Sequence, residues 1–184
     1  DGISLNQVNG ERSGIAKEAD KHTQDVFEGL LLLSTYGCCG CYMITKKLLL
    51  ECYPERDMFV SRAGQNWQIL VPAASRSLCG YIDESLYMIY EHGDSHSRRE
   101  RSVQEMYDRW ETFTEILRHA ILVSDCDQKK SMRLVEENNA RQQFYYAVSV
   151  RDKAMMKKTM KAMLKYGKPT VKESLLSLKC MIIG

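Results

Sequence analysis

The feature that most constrains this chain is a helix-period run of apolar and aromatic side chains between residues 103 and 121. Val103, Met106, Tyr107, Trp110, Phe113, Leu117 and Ile121 fall on one arc when successive residues are turned by about 100°. So wide an aromatic sector must be covered by other helices, and the run therefore predicts a long helix inside a helical assembly. The covering material is present, since 44% of the 184 residues are apolar and 27% charged. With 11 Gly and only 3 Pro, disorder along the whole chain and collagen-like repeats are excluded.

The remaining segments read mostly as helix. Residues 1–14 lack periodicity and are expected to form a mobile N-terminal arm. Ile15 to Leu33 is a helix former, and Cys41 to Tyr53 a second one that stops before Pro54. Pro54 with Glu55 and Asp57 resembles a fresh helix start. Trp67–Val71, stopped by Pro72, is the only strand candidate. Ser75 or Ser77 is expected to cap a helix carrying Leu78, Ile82, Leu86 and Ile89. Beyond the long central helix, Asp125–Gln128 breaks the pattern and Ser131 begins another helix towards Val150. Residues 151–166 and Val171–Ile183 complete the set. The expected fold class is all-α, two packed helical bundles of about eight or nine helices with short loops. Residues 15–91 would form an N-terminal subdomain, 92–100 a polar linker and 101–184 a basic C-terminal subdomain, with an alternative boundary near 125–130.

The longest uncharged stretch is the seventeen residues Gly29 to Thr45, short of the roughly 20 apolar residues of a spanning helix. Ser34, Thr35, Tyr36 and Gly37–Gly40 weaken it further, so a buried helical hairpin turning near Gly37–Gly40 is expected and a transmembrane protein is not. Asp1–Asn9 is polar and lacks a signal-peptide core, while a first residue other than Met leaves room for a missing N-terminus. The seven cysteines, Cys38, Cys39, Cys41, Cys52, Cys79, Cys126 and Cys180, are odd in number and irregular in spacing, which suits reduced thiols inside a cell rather than a secreted disulfide scaffold.

Cys38 and Cys41 supply one C-x₂-C half-site and His92 with His96 one H-x₃-H half-site, but about fifty residues separate them. No metal or other cofactor is expected, with a zinc site or acylation of the cysteine cluster as the alternatives. No phosphate loop, HExxH, GxSxG or dinucleotide fingerprint occurs, and the carboxylates form no pair in an apolar setting. His22 and His119 read as surface or satisfied core residues. An enzyme is not expected.

The charge distribution is the strongest functional clue. Residues 1–100 carry 10 basic and 14 acidic side chains, a net of −4, whereas residues 129–184 carry 13 and 4, a net of +9. Lys153, Lys157, Lys161 and Lys165 recur every four residues and drift slowly around one helix face, with Met155, Met156, Met160 and Met163 opposite. A solvated surface is the ordinary reading of such a run. The sign imbalance and the regular ridge favour contact with a polyanion, either RNA phosphates or an anionic membrane. Lys158, Lys168 and Lys172 extend the patch, and Arg98, Arg99 and Arg101 form a second basic group upstream.

Across Val71–Ala120 the order of motifs resembles the middle of the orthomyxovirus (influenza-type) matrix proteins, as a divergent member such as one from a fish-infecting virus. An apolar run ends in Val71-Pro72, a helix runs through Leu78 to Ile89, a Gly93-Asp94 connector follows, and then comes a helix with Val103 and Tyr107. That family carries a dense Lys/Arg run just after the Tyr, used for nucleic-acid contact and nuclear import. Here Tyr107-Asp-Arg-Trp-Glu111 holds Arg109 as its only basic residue, so that site does not carry over. Its Cys/His zinc motif is not reproduced either.

The resemblance implies a viral matrix protein: a non-enzymatic structural protein of the virion that polymerises under the envelope and bridges anionic lipid to the viral ribonucleoprotein. It would be found at the inner face of the envelope, and in host cytoplasm and nucleus during infection. The physical route to a homo-oligomer is an acidic front docking on the basic rear of a neighbour. Two alternatives stay open, a helical intracellular host-interaction adaptor and a nucleoprotein-like, sequence-independent RNA binder.

Overall fold

The computed structural model describes residues 2–6, 10–14, 21–35, 40–61, 63–91 and 100–182. Two strands open the chain, β1 (Gly2–Asn6) and β2 (Arg12–Gly14). Three helices follow, α1 (Phe27–Leu31), α2 (Lys46–Cys52) and α3 (Gln65–Ala74), and then β3 (Tyr87–Glu91). Four more helices complete it, α4 (Val103–Leu122), α5 (Gln128–Ser149), α6 (Lys153–Met163) and α7 (Val171–Ile182). Among the described residues the protein is thus mostly helical, with seven helices, and it carries a small sheet in the order β2-β1-β3. β1 pairs antiparallel with β2, Ser4 opposite Ser13, and parallel with β3, Ile3 opposite Met88.

The sheet corrects the all-α expectation at two places. The expected mobile arm holds β1 and β2, and the expected helix from Ser75 to Ile89 is irregular chain followed by β3. Ser75 and Ser77 do not start a helix. Their hydroxyls donate backwards, to Pro72 O at 2.7 Å and Ala73 O at 2.9 Å, and close the C-terminus of α3. Gly80 then follows, and the β-prone run Tyr87-Met-Ile-Tyr90 finds hydrogen-bond partners on β1. The helix through Leu78 to Ile89 implied by the matrix-protein resemblance is therefore absent, whereas its Val103/Tyr107 helix is present as α4.

The strand candidate Trp67–Val71 is also corrected, because it lies inside α3. Pro72 sits in the same helix and cannot donate to Gln68 O four residues back. The Tyr53 hydroxyl donates to that carbonyl instead, at 2.5 Å, so the helix continues with no orphaned acceptor. Burial raises the Tyr53 hydroxyl pKa to about 12. Gln68, Val71, Pro72 and Ala73 are buried, the first three at i, i+3 and i+4, a pattern that an apolar run of five cannot display by itself.

Of the helix expected from Ile15 to Leu33, 15–20 lie outside the described residues, 23–26 are not helical, and Phe27–Leu31 is α1. It ends because Leu33 takes a left-handed φ of 54°, while Ser34 N donates to Gly29 O at 2.9 Å and Leu33 N to Leu30 O at 3.1 Å. Side chains from elsewhere take up further carbonyls: Trp67 Nε1 donates to Leu30 O and Asn138 Nδ2 to Leu32 O, both at 3.0 Å. Of the expected hairpin, Gly37, Cys38 and Cys39 lie outside the described residues, and Cys41–Thr45 is not helical. The segment after Pro54 is irregular rather than a new helix. The expected linker over 92–100 lies, except for Glu100, outside the described residues.

Two apolar clusters form the core. In one, Leu30 and Leu31 of α1 and Val71 of α3 meet Leu117, Ala120 and Ile121 of α4 and Val135 of α5. In the other, Tyr107 of α4 meets Ala140, Phe144 and Ala147 of α5 and Met156 and Met163 of α6. α4 and α5 serve both clusters. Among the described residues no helix is long and apolar enough to cross a membrane.

Candidate anionic-surface interface

α6 forms because both of its ends are specified locally and its underside fits a prepared groove. α5 stops where Arg151 adopts φ 57°, with Asp152 N donating to Ala147 O at 2.8 Å and Arg151 N to Val148 O at 3.3 Å. Asp152 then caps α6, its carboxylate accepting from Met155 N at 2.9 Å. Met156, Thr159 and Met163 are buried, and Met155 and Met160 flank them half-buried. The small side chains Ala140 and Ala147 on α5 leave room for the two buried methionines beside Phe144. The expected methionine floor is present, with Thr159 at its centre donating to Met155 O at 2.9 Å.

That docking fixes the opposite face outward. Lys153, Lys157, Lys158 and Lys161 are exposed on α6, and exposed Lys165 and Lys168 continue beyond its end. No acidic residue stands between Asp152 and Glu173, against seven lysines. Among the described residues, Lys157, Lys158 and Lys161 have no carboxylate within ion-pair distance. Lys172, on α7, lies with its Nζ 5.9 Å from the centre of the Tyr145 ring on α5.

The carboxylates on either side of this run point into the protein. Asp152 accepts a second bond from the Tyr107 hydroxyl at 3.2 Å, and Tyr107 is pushed up to about 12 by desolvation and by that neighbour. Glu173 is 1% exposed and bonded by Arg141, by the Tyr145 hydroxyl at 3.3 Å and by Thr170 N at 2.6 Å. Thr170 Oγ1 accepts from Glu173 N at 3.2 Å, which completes a capping box at the start of α7. Burial alone would raise the Glu173 pKa, but the Arg141 and Thr170 bonds outweigh it and hold the carboxyl below its ordinary value. Tyr166, after α6, donates its hydroxyl to Glu136 and accepts Arg133 at its carbonyl, tying the lysine-bearing end to α5. The Tyr166 bond, opposed by burial and helped by Arg118, lowers the Glu136 pKa.

Of the second basic group only Arg101 is among the described residues. Arg98 and Arg99 lie outside them. Arg101 is half-buried just before α4, and its charge, after desolvation, lowers the pKa of the Arg109 guanidinium. The candidate metal ligands Cys38, Cys39, His92 and His96 are likewise outside. Among the described residues no group of three or more His, Cys, Asp or Glu is placed to hold a metal ion. His22 is exposed, and His119 stacks on Phe59 with ring centres 3.8 Å apart.

Sequence reasoning missed the inward turn of Asp152 and Glu173. Its local signals were an Asp just before the lysine helix and the spacing Thr170-x-x-Glu173. It also left unread the outer face of α7, where Val171, Leu175 and Leu178 are exposed. No family model, no curated protein and no solved structure matches this chain.

Proposed function

We propose that this protein is a matrix-type viral structural protein, without enzymatic activity, which lies on an anionic membrane through the lysine face of α6 and associates with further copies of itself. The observation that carries the reading is the run of seven lysines between Asp152 and Glu173 whose two flanking carboxylates are turned inward. Lys157, Lys158 and Lys161, with no carboxylate within ion-pair distance among the described residues, leave a positive potential for an external polyanion. The rigid methionine floor beneath them presents them as one surface. Viral ribonucleoprotein on the other side, and a location under the envelope, rest on what remains of the resemblance, the Val71-Pro72 step and the Val103/Tyr107 helix.

Cosedimentation with liposomes of varied phosphatidylserine content, at two salt concentrations, tests the reading. Binding should rise with anionic lipid and fall with salt, and electron microscopy of the pellet should show protein arrays. Reversing Lys157, Lys158 and Lys161 to Glu should abolish the binding. Unchanged binding of that variant removes the face from the mechanism, and strong salt-dependent RNA binding without lipid preference replaces the membrane with RNA.

A further inference from the structure

We infer that copies of this chain join head to tail, with the outer apolar stripe of α7 on one copy seated on the 78–86 segment of the next. The inference deepens the self-association part of the proposed function and does not involve lipid.

The first surface is the exposed side of α7. Its inner side is committed, with Glu173 buried and Leu176 and Cys180 packed on the methionine cluster. On the opposite side Val171 is 77% exposed, Leu175 61% and Leu178 52%. These stand at i, i+4 and i+7, a seam of the narrow kind that accepts one protein segment rather than the broad apolar sector of a helix lying in a bilayer. Lys172 and Lys179, seven residues apart, run along one flank of it.

The second surface is the segment that sequence periodicity assigned to a helix. Leu78 and Leu86 are 69% and 67% exposed, and Tyr87 and Tyr90 beyond them are exposed too. The segment is held in place, since Cys79 N donates to Gln24 O at 2.8 Å and Lys21 bonds Asp83 at 3.0 Å. Residues 77–91 carry Asp83, Glu84 and Glu91 and no basic side chain. Among the described residues Glu84 has no basic partner within ion-pair distance.

The two surfaces suit each other better than themselves. Antiparallel pairing of α7 with a second α7 brings the lysine flanks together, and pairing of two 78–86 segments opposes their carboxylates. Joining unlike surfaces satisfies both the apolar and the charge requirement. The contact is heterologous, so each copy in a row keeps one open surface at either end for the next copy, and the rotation between copies sets whether the row ends as a ring or a filament.

The test uses the full chain without lipid, in sedimentation-velocity runs over a concentration series. The wild type should assemble as concentration rises. A variant with Leu175→Glu and Leu178→Glu, and a separate one with Leu78→Lys and Leu86→Lys, should each need at least about tenfold more protein to assemble. All four positions are exposed, and circular dichroism checks that the fold is kept; Glu84→Lys, a milder change, should weaken assembly in the same direction. An equimolar mixture of the two double variants should associate at concentrations where neither does alone, because each retains the surface that the other lacks.

A monomeric wild type at every concentration overturns the inference, as does normal assembly of either double variant or a mixture that stays monomeric. An α7 variant that assembles normally but loses vesicle binding also overturns it, by making the stripe a membrane face. Both double variants leave Lys157, Lys158 and Lys161 in place. Their vesicle binding at low salt therefore reports on the proposed function separately: assembly as described without vesicle binding sinks that reading and leaves this one standing.

Discussion

The hydroxyl of Tyr107 on α4 donates to Asp152 Oδ2 at 3.2 Å, while Oδ1 of the same carboxylate accepts from Met155 N at the start of α6. One side chain therefore caps the lysine helix, fastens it to the central helix of the bundle and keeps a negative charge away from the basic face. Tyr107→Phe should lower stability by about 1 kcal/mol, the net worth of a hydrogen bond, with vesicle affinity unchanged. Asp152→Ala should cost roughly 2–3 kcal/mol, because it loses the cap and strands the Tyr107 hydroxyl. Urea denaturation measures both, and an equal cost for the two would mean that the cap contributes nothing.

The methionine floor and the lysine face should separate cleanly by mutation. Met156→Ala opens a cavity among Tyr107, Phe144 and Ala147 and should cost about 2–5 kcal/mol. Lys157→Ala, one residue on, should stay within about 0.5 kcal/mol while reducing vesicle affinity at low salt by about fivefold, the equivalent of about 1 kcal/mol per lysine. Comparable stability losses for the two would show that α6 is not docked by this face.

Arg151 occupies a left-handed position at the turn between α5 and α6, where glycine is the unstrained choice. Arg151→Gly should stabilise the protein by about 1 kcal/mol, raising Tm by roughly 2–4 °C for a chain of this size. A calorimetric scan decides it; a lowered Tm would mean that the Arg151 side chain makes a contribution larger than the backbone strain.

Acid should loosen the lysine end of the molecule first. Glu136 and Glu173 both have folded pKa values below the ordinary 4.5. They bind fewer protons folded than unfolded near that pH, so their contribution is full above about 4.5 and declines as pH falls through the depressed folded values. Hydrogen exchange followed from neutral pH to below that range should show α7 and the α6–α7 connection losing protection before α4. In Glu173→Gln the acid sensitivity of α7 should shrink, and an unaltered profile would assign the effect elsewhere.

The four C-terminal helices were legible because their signals are local. α4 shows its aromatic arc, α6 its alternating lysine and methionine faces, and the stops at Asp125–Gln128 and Gly167–Pro169 fall where chain chemistry places them. Asp127 and Asp152 act as caps from within a few residues. The lysine face was readable for the same reason, since helical spacing and sign are properties of adjacent residues. The apolar periodicity of Leu78, Ile82, Leu86 and Ile89 misled because spacing alone does not say which backbone groups have partners.

By itself, then, the sequence determined a mostly helical chain with a basic rear and the composition of its exposed ridge. Tertiary structure alone decided the remainder. β1 meets β3 through the pairing of Ile3 with Met88, a partner more than eighty residues away, and this turned an expected helix into a strand. The Tyr53 hydroxyl, far along the chain from Pro72, decided that α3 runs on through a proline. Arg141 and Tyr107 decided that Glu173 and Asp152 face inward, away from the ridge between them. In each case the deciding quantity is whether a buried donor or acceptor finds a partner across space, and no window of neighbouring residues contains that information.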